Sequence, residues 1–341
     1  MKNNFLLQII ASSLLLIGAI SAEETRLLRM PDISDTHIAF VYAKDIWIAD
    51  VDGSNARRLT TFSGEETNPR FSPDGKLVAF TGEYDGNTDV YVVSVDGGEP
   101  KRMTWHPSVD LVRGWSHDGK KIIFASNRES APIGFILKFW SIQLDQKMPE
   151  PLPIPRIADG RLSPDDQKMC FQKIYPWESE WRNYRGGQTN PIRIIDLSTL
   201  EEEKLPWDGS NDINPVWIDD MIYFRSDRDY AMNIWSYNTK TKALNQVTHF
   251  KEFDCKSLES GAGKLIFENG GYLYVLDPAN NQPKKLSIEV KGDFPWARPH
   301  WEKVGSRINT YNLSPTGKRA VFEARGEITI SLEESKVTSV S

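Results

Sequence analysis

A unit of four short extended segments recurs along the whole chain. Its clearest copy is residues 68–104, where apolar runs at 77–81 and 89–95 alternate with the turn sequences Pro-Asp-Gly and Asp-Gly-Gly. Such turns join antiparallel strands, because glycine accepts the positive φ that a tight turn needs. An aromatic residue marks the second segment of every copy: Phe40, Phe80, Phe124, Phe171, Phe224, Phe267 and Phe322. Four strands repeating about every 40 to 55 residues predict a β-propeller, in which each unit covers the faces of its neighbours.

The order of the copies predicts the domain organisation. Six copies fill residues 23–290, and a segment rich in proline and aromatic residues follows at 291–305. The seventh copy, within 306–341, ends after its third strand and runs into a polar tail. We therefore predict an all-β fold with a six-bladed β-propeller, a linker and the incomplete first blade of a second propeller. Because no spare strand precedes the first copy, we expect the ring to close by packing, without strand exchange.

The amino terminus predicts export. Residues 1–22 combine Lys2, an apolar run from Phe5 to Ile20 and small residues up to Ala22, which is the pattern of a secretory signal peptide. A membrane anchor is the alternative, but the run is short for a bilayer span. We expect a periplasmic or secreted protein with no stable membrane anchor after cleavage of the signal.

The net charge limits the classes of binding partner, and the two cysteines bear on whether the chain contains a disulfide. The net charge of −6 argues against nucleic-acid binding. Cys170 and Cys255 belong to different repeats. We expect two buried free thiols, and a bridge in an oxidising compartment is the alternative.

The chain lacks the usual patterns of catalytic and cofactor-binding residues. It contains neither G-x-S-x-G nor H-E-x-x-H, and the phosphate-loop look-alike at 114–120 has Lys121 where Ser or Thr would bind Mg²⁺. The histidines are scattered without the spacing of metal ligands: His37, His106, His117, His249 and His300. We therefore predict no catalytic residue, no cofactor and no metal site.

Two groups of acidic residues have simpler interpretations. Aspartates recur at one position of the repeated turns, and we expect them to accept backbone N–H bonds there: Asp74, Asp118 and Asp165. The cluster at Asp85, Asn87 and Asp89 lacks the spacing of a calcium loop.

An insertion at 175–190 is the best candidate for a binding site in the sequence. It groups aromatic rings with guanidinium groups, which suit peptides through stacking and carboxylate pairing. The candidate peptide-binding residues are Trp181, Arg182, Tyr184 and Arg185. The alternative is a structured loop that packs on its own or on a neighbouring domain.

Several stretches resemble a known family. Residues 31–50, 71–93, 112–130 and 313–328, and the W-x-x-Y-R-G-G pattern at 181–187, resemble the amino-terminal part of tricorn proteases and their bacterial homologues in the S41 peptidase group. The resemblance implies a six-bladed propeller followed by a seven-bladed one, a PDZ-like domain and a catalytic module with a Ser nucleophile and a His. It also implies that the propellers guide and filter peptides.

This sequence stops near the start of the second propeller, so no position receives the family's catalytic Ser or His. We expect a non-catalytic chain that binds or gates peptides, or that docks on a separate or missing protease domain. The alternative is a TolB-like periplasmic scaffold that binds protein partners.

Overall fold

The structure is a computed structural model that describes residues 24–130, 136–175, 183–294, 301, 303–332 and 338–339. Over these residues 28 strands form seven four-stranded antiparallel sheets, and one turn of 3-10 helix lies at Gly305–Arg307. The chain divides into two compact units, Met1–Gly292 and Asp293–Ser341. The all-β prediction is confirmed.

The described residues of the first unit form six sheets, each built from four consecutive strands. The first contains β1 (Arg29–Ile33), β2 (His37–Tyr42), β3 (Asp45–Asp50) and β4 (Arg57–Arg58). The second contains β5 (Glu66–Phe71), β6 (Leu77–Tyr84), β7 (Asn87–Ser94) and β8 (Lys101–Arg102). The third contains β9 (Asp110–Trp115), β10 (Lys121–Ser126), β11 (Lys138–Gln143) and β12 (Glu150–Pro151).

The remaining three sheets repeat the same order. The fourth contains β13 (Asp159–Leu162), β14 (Lys168–Gln172), β15 (Arg193–Asp196) and β16 (Glu202–Lys204). The fifth contains β17 (Asp212–Ile218), β18 (Met221–Ser226), β19 (Asn233–Asn238) and β20 (Leu244–Gln246). The sixth contains β21 (Lys256–Gly261), β22 (Lys264–Asn269), β23 (Tyr272–Asp277) and β24 (Gln282–Lys285).

The core lies between neighbouring sheets. Both faces of each second strand contact another sheet, which is why these strands are apolar at successive positions rather than at alternate ones. The marker aromatics of the six sheets are completely buried: Phe40, Phe80, Phe124, Phe171, Phe224 and Phe267. Burial of each such ring stabilises the fold by roughly 1.5–3 kcal/mol.

The repeated turns join the first strand of a sheet to the second. Asp74 Oδ1 accepts the N–H of Lys76 at 3.1 Å, and the carboxylates of Asp118 and Asp165 make the same bond at 3.0 and 3.1 Å. The prediction that these aspartates form turns is confirmed. Residues 114–120 likewise connect β9 to β10 as a hairpin.

The first strands follow one another around a closed cycle. Each contacts the first strand of the next sheet, and β21 contacts β1. At five of the six junctions a backbone N–H of one sheet bonds to a side chain of the sheet before it: Phe71 N to Asp32 Oδ2 (2.6 Å), Val112 N to Thr81 Oγ1 (2.8 Å), Asn214 N to Gln172 Oε1 (2.7 Å), Leu258 N to Asn214 Oδ1 (2.7 Å) and Met30 N to Glu268 Oε1 (2.8 Å). Closure by packing without strand exchange agrees with the sequence prediction.

The second unit contains one sheet. Its strands are β25 (Ile308–Leu313), β26 (Arg319–Ala324), β27 (Glu327–Leu332) and β28 (Thr338–Ser339). The sequence predicts a repeat that ends after its third strand, and the structure adds β28 where a polar tail is expected. The physical reason is that the edge of β27 offers backbone donors and acceptors to any extended segment, whatever its side chains.

Three smaller predictions fall on described residues. Cys170 and Cys255 are buried and free, as expected. Asp89, from the acidic cluster, is buried against Arg102 at 2.6 Å. Within the described ranges there is no group of three or more metal-ligating side chains and no helix long and apolar enough to cross a membrane.

Candidate functional site

A cavity of about 1140 Å³ opens at the centre of the first unit. Every first strand contributes to its wall, through Met30, Asn68, Arg113, Asp159, Asn214 and Ser257. Connections between second and third strands contribute Tyr175, Tyr230 and Gly270. The cavity therefore opens on the side of the ring where the first strands begin.

Repeated β-bulges shape this wall. The register shifts in β1, β5, β17 and β21, and one residue of each shift has a left-handed backbone: Met30 (φ 49°), Asn68 (φ 52°), Asn214 (φ 54°) and Ser257 (φ 47°). Asparagine tolerates this conformation better than most residues, and proline, which has no N–H to pair, follows at Pro31, Pro69 and Pro215. A bulge bends its strand and changes the direction of the side chains that follow.

Most of the positive charges on the cavity wall have carboxylate partners. Arg29 Nη1 lies 3.2 Å from Glu268, and Arg70 donates to Glu259. Arg113 Nε lies 3.7 Å from Asp159. These pairs leave little net charge on the cavity wall.

Arg225 on β18 differs from these arginines. Its Nη1 donates to the carbonyl oxygen of Cys255 at 3.0 Å, and its buried Nε has no hydrogen-bond partner within the described ranges. Among the residues that the structure describes, no carboxylate lies within ion-pair distance of it. Burial lowers the pKa of Arg225, although the charge of Glu268 opposes that shift. The guanidinium is thus positioned to receive an anionic group from a ligand.

The mouth of the cavity carries large exposed apolar side chains. Leu27 is 61% exposed, Tyr175 44%, Tyr230 72% and Phe253 56%, although all four line the cavity. We call these four residues the rim. Exposed aromatic side chains that surround a polar recess are typical of binding surfaces.

Only part of the predicted binding loop is described. Trp181 and Arg182 lie outside the described residues. Arg185 donates to the buried Asp227, from Nη1 to Oδ2 at 3.0 Å and from Nη2 to the carbonyl oxygen at 3.1 Å. The carbonyl oxygen of Tyr184 accepts a bond from Arg185 Nη1 at 3.1 Å. The described end of the loop is therefore tied to the fifth sheet, and Arg185 has a carboxylate partner within the chain.

Sequence reasoning missed Arg225, Tyr230 and Phe253. Arg225 was visible as a single charge within the apolar second strand MIYFRS. Tyr230 and Phe253 lie outside the strands, in connections of ordinary composition. Neither carries a local signal that places it at the centre of a ring.

Comparisons with known proteins bear on the fold and the family. The family described as Tricorn protease N-terminal beta propeller domain matches residues 25–282. The tricorn protease homolog of Saccharolobus solfataricus is 26% identical over 300 residues, which cover 87% of this chain and 28% of that protein.

Solved structures agree at the level of the fold. The crystal structure of the tricorn protease matches with a TM-score of 0.72 at 24% identity, over 92% of this chain and 31% of that one. TolB from Acinetobacter baumannii matches with a TM-score of 0.54 at 16% identity, over 82% of this chain and 68% of that one. The propeller fold is thereby confirmed, and the chain spans less than a third of the length of the tricorn relatives named here. Because the family match covers most of its residues, the chain belongs to the family of the tricorn protease N-terminal beta propeller domain.

Proposed function

We propose that the first unit binds peptides at the central cavity, as the propeller part of a secreted or periplasmic tricorn-like serine protease. In this role it holds or gates peptides for the catalytic module of such a protease. The observation that carries the proposal is the exposed rim around a recess in which Arg225 has no carboxylate partner among the described residues.

The dimensions and the chemistry of the cavity suit a short peptide. Sites of roughly 300–1,000 Å³ hold drug-sized ligands, and this cavity of about 1140 Å³ has room for several residues. The rim offers flat apolar surface to side chains, and Arg225 offers a charge-assisted bond to a terminal or side-chain carboxylate.

Fluorescence anisotropy with labelled peptides of four to eight residues tests the proposal on the full chain. We expect binding, and we expect Arg225→Met to weaken the binding of carboxylate-bearing peptides about tenfold or more, since charged hydrogen bonds contribute roughly 1.5–3 kcal/mol. Replacing Tyr230 or Phe253 by serine should also weaken it. Arg193→Met removes an arginine that pairs with Glu202 and is not part of the cavity lining, and it is the matched control.

The proposal fails if no peptide binds, or if the Arg225 and rim variants bind as tightly as the Arg193 control. Binding of folded protein partners in place of peptides would favour a TolB-like scaffold. Export is tested separately, because the amino-terminal residue of protein recovered from the extracellular or periplasmic fraction should follow residue 21 or 22.

A further inference from the structure

Six residues occupy one register position in the six sheets. Each pairs with the residue just before the marker aromatic of its second strand, so all six lie at the same level around the ring. We call this set the channel layer: Asp32, Arg70, Gly114, Arg161, Val216 and Glu259.

Three members of the channel layer meet although their sheets are not neighbours. The carboxylate of Glu259, on the sixth sheet, accepts bonds from Arg70 on the second sheet and from both Nε (3.2 Å) and Nη2 (2.5 Å) of Arg161 on the fourth. Because these sheets alternate around the ring, their side chains can meet only near its axis.

The burial of these side chains shows that they fill the space on the axis. Arg70 is 9% exposed, Arg161 14% and Glu259 5%. Side chains that projected into an open water-filled channel would be far more exposed. Arg70 and Glu259 line the cavity, whereas Arg161 is not part of its lining.

Neighbouring groups complete the cluster. Asp159 accepts a bond from Arg161 Nη1 at 3.1 Å, and Asp32 Oδ2 accepts the N–H of Phe71 beside Arg70. Gly114 lies beside Arg161, whose Cδ is 3.9 Å from the place where a Cβ of residue 114 would stand. Buried charges are stabilised by oppositely charged partners with good geometry. Glu259 accepts bonds from both arginines, although the buried Nε of Arg70 has no hydrogen-bond partner among the described residues.

We infer that the Arg70–Glu259–Arg161 cluster closes the axis of the first unit, so that the cavity is a cup with one mouth. A ligand then enters and leaves on the same side. This step rests on the proposed function. If the cavity has one mouth, the ligand is one end of a polypeptide: that end is bound in the cavity, and the rest of the ligand stays outside the mouth.

A double-mutant cycle tests the closed floor without any ligand. Arg70→Met, Glu259→Gln and the double variant are compared by urea denaturation. Each single substitution should raise the unfolding equilibrium constant by some factor. Because residues in contact couple, we expect the factor for the double variant to be at least tenfold smaller than the product of the two single factors. Arg29→Met combined with Glu259→Gln is the control, and its effects should multiply, since Arg29 binds Glu268 instead. Absence of coupling between Arg70 and Glu259 overturns the inference.

Photocrosslinking on the unmodified chain provides the second test, and it holds even if a variant fails to fold. Peptides of 4 to 16 residues carry benzophenone at one end. If the cavity has one mouth, every crosslink should map to the cavity wall or the rim, whatever the length of the peptide. Crosslinks from the longer peptides to the turns on the opposite face, at Pro73, His117 or Pro164, overturn the closed floor. If no peptide crosslinks while the coupling persists, the proposed function fails and the closed floor stands.

Discussion

Glu66 is a completely buried carboxyl group at the contact of the first and second sheets, and it should make stability fall as pH rises. Its Oε1 accepts a bond from the Tyr84 hydroxyl at 2.9 Å, and its Oε2 accepts one from the Thr60 hydroxyl at 3.0 Å. Burial raises the pKa of Glu66 to about 8, with a further contribution from the nearby Asp45 carboxylate, while the bonds from Tyr84 and Thr60 oppose the shift. The folded protein therefore keeps a proton on Glu66 at neutral pH.

The sign and the size of this change in unfolding free energy with pH follow from proton linkage. Between the ordinary pKa of 4.5 and the folded value of about 8, the unfolded chain has lost this proton and the folded chain has kept it. The free energy of unfolding thus falls by up to about 1.4 kcal/mol per pH unit, or about 4 kcal/mol at most from pH 5 to pH 8. Burial also raises the pKa of Asp32 to about 7, which adds a slope of the same sign.

Glu66→Gln separates the contribution of Glu66 from that of Asp32, because glutamine has no proton to lose in this pH range. At pH 5 we expect the variant to be about 1 kcal/mol less stable than the wild type, since one hydrogen bond is rearranged. At pH 8 we expect it to be the more stable protein by about 2 kcal/mol, so the two stability curves cross. Urea midpoints followed by tryptophan fluorescence at pH 5, 6, 7 and 8 measure this. Glu65→Gln, at the exposed neighbouring position, should follow the wild type. Parallel curves for the wild type and Glu66→Gln would refute the reasoning.

Three further predictions use the same chain. Glu268→Ala removes the acceptor that joins the sixth sheet to the first, and we expect a loss of about 3 kcal/mol in urea denaturation, against no measurable loss for the exposed control Glu99→Ala. Arg185→Ala leaves a buried aspartate without its cation, and the free energy of unfolding should fall by about 2 kcal/mol; an unchanged midpoint would contradict the ion pair. Because burial raises the pKa of both Cys170 and Cys255 to about 12, neither thiol should react with a disulfide reagent in the native protein, and both should react in denaturant.

The repeat and the all-β fold could be predicted from the sequence because their signals are local. The turn aspartates, such as Asp74, act within two residues of their own position. The marker aromatics recur because every second strand meets the same environment, and this periodicity survives the variation of other positions. The expectation of buried thiols rests on the usual burial of free cysteine and on the position of Cys170 and Cys255 in different repeats.

The candidate site could not be predicted, because it depends on register and on distant contacts. Bulges at Asn68 and Asn214 influence which side chains of the innermost strands face the cavity, and a register shift has no simple sequence signature. Arg185 is predicted to bind peptides, and its carboxylate partner within the chain, Asp227, lies 42 residues further along. Among the described residues, Arg225 is the cavity arginine without a carboxylate at ion-pair distance, and only the three-dimensional arrangement separates it from the paired arginines.

The bond between Met30 and Glu268 joins positions that are 238 residues apart. A ribosome that adds about 5–20 residues per second needs roughly 10 to 50 s to produce the intervening chain. Throughout that interval the nascent first sheet has one flank uncovered, with β1 still waiting for β21 and β22. The contact that completes the ring therefore cannot form until the sixth sheet has been synthesised, and until then the first sheet has no partner on that flank.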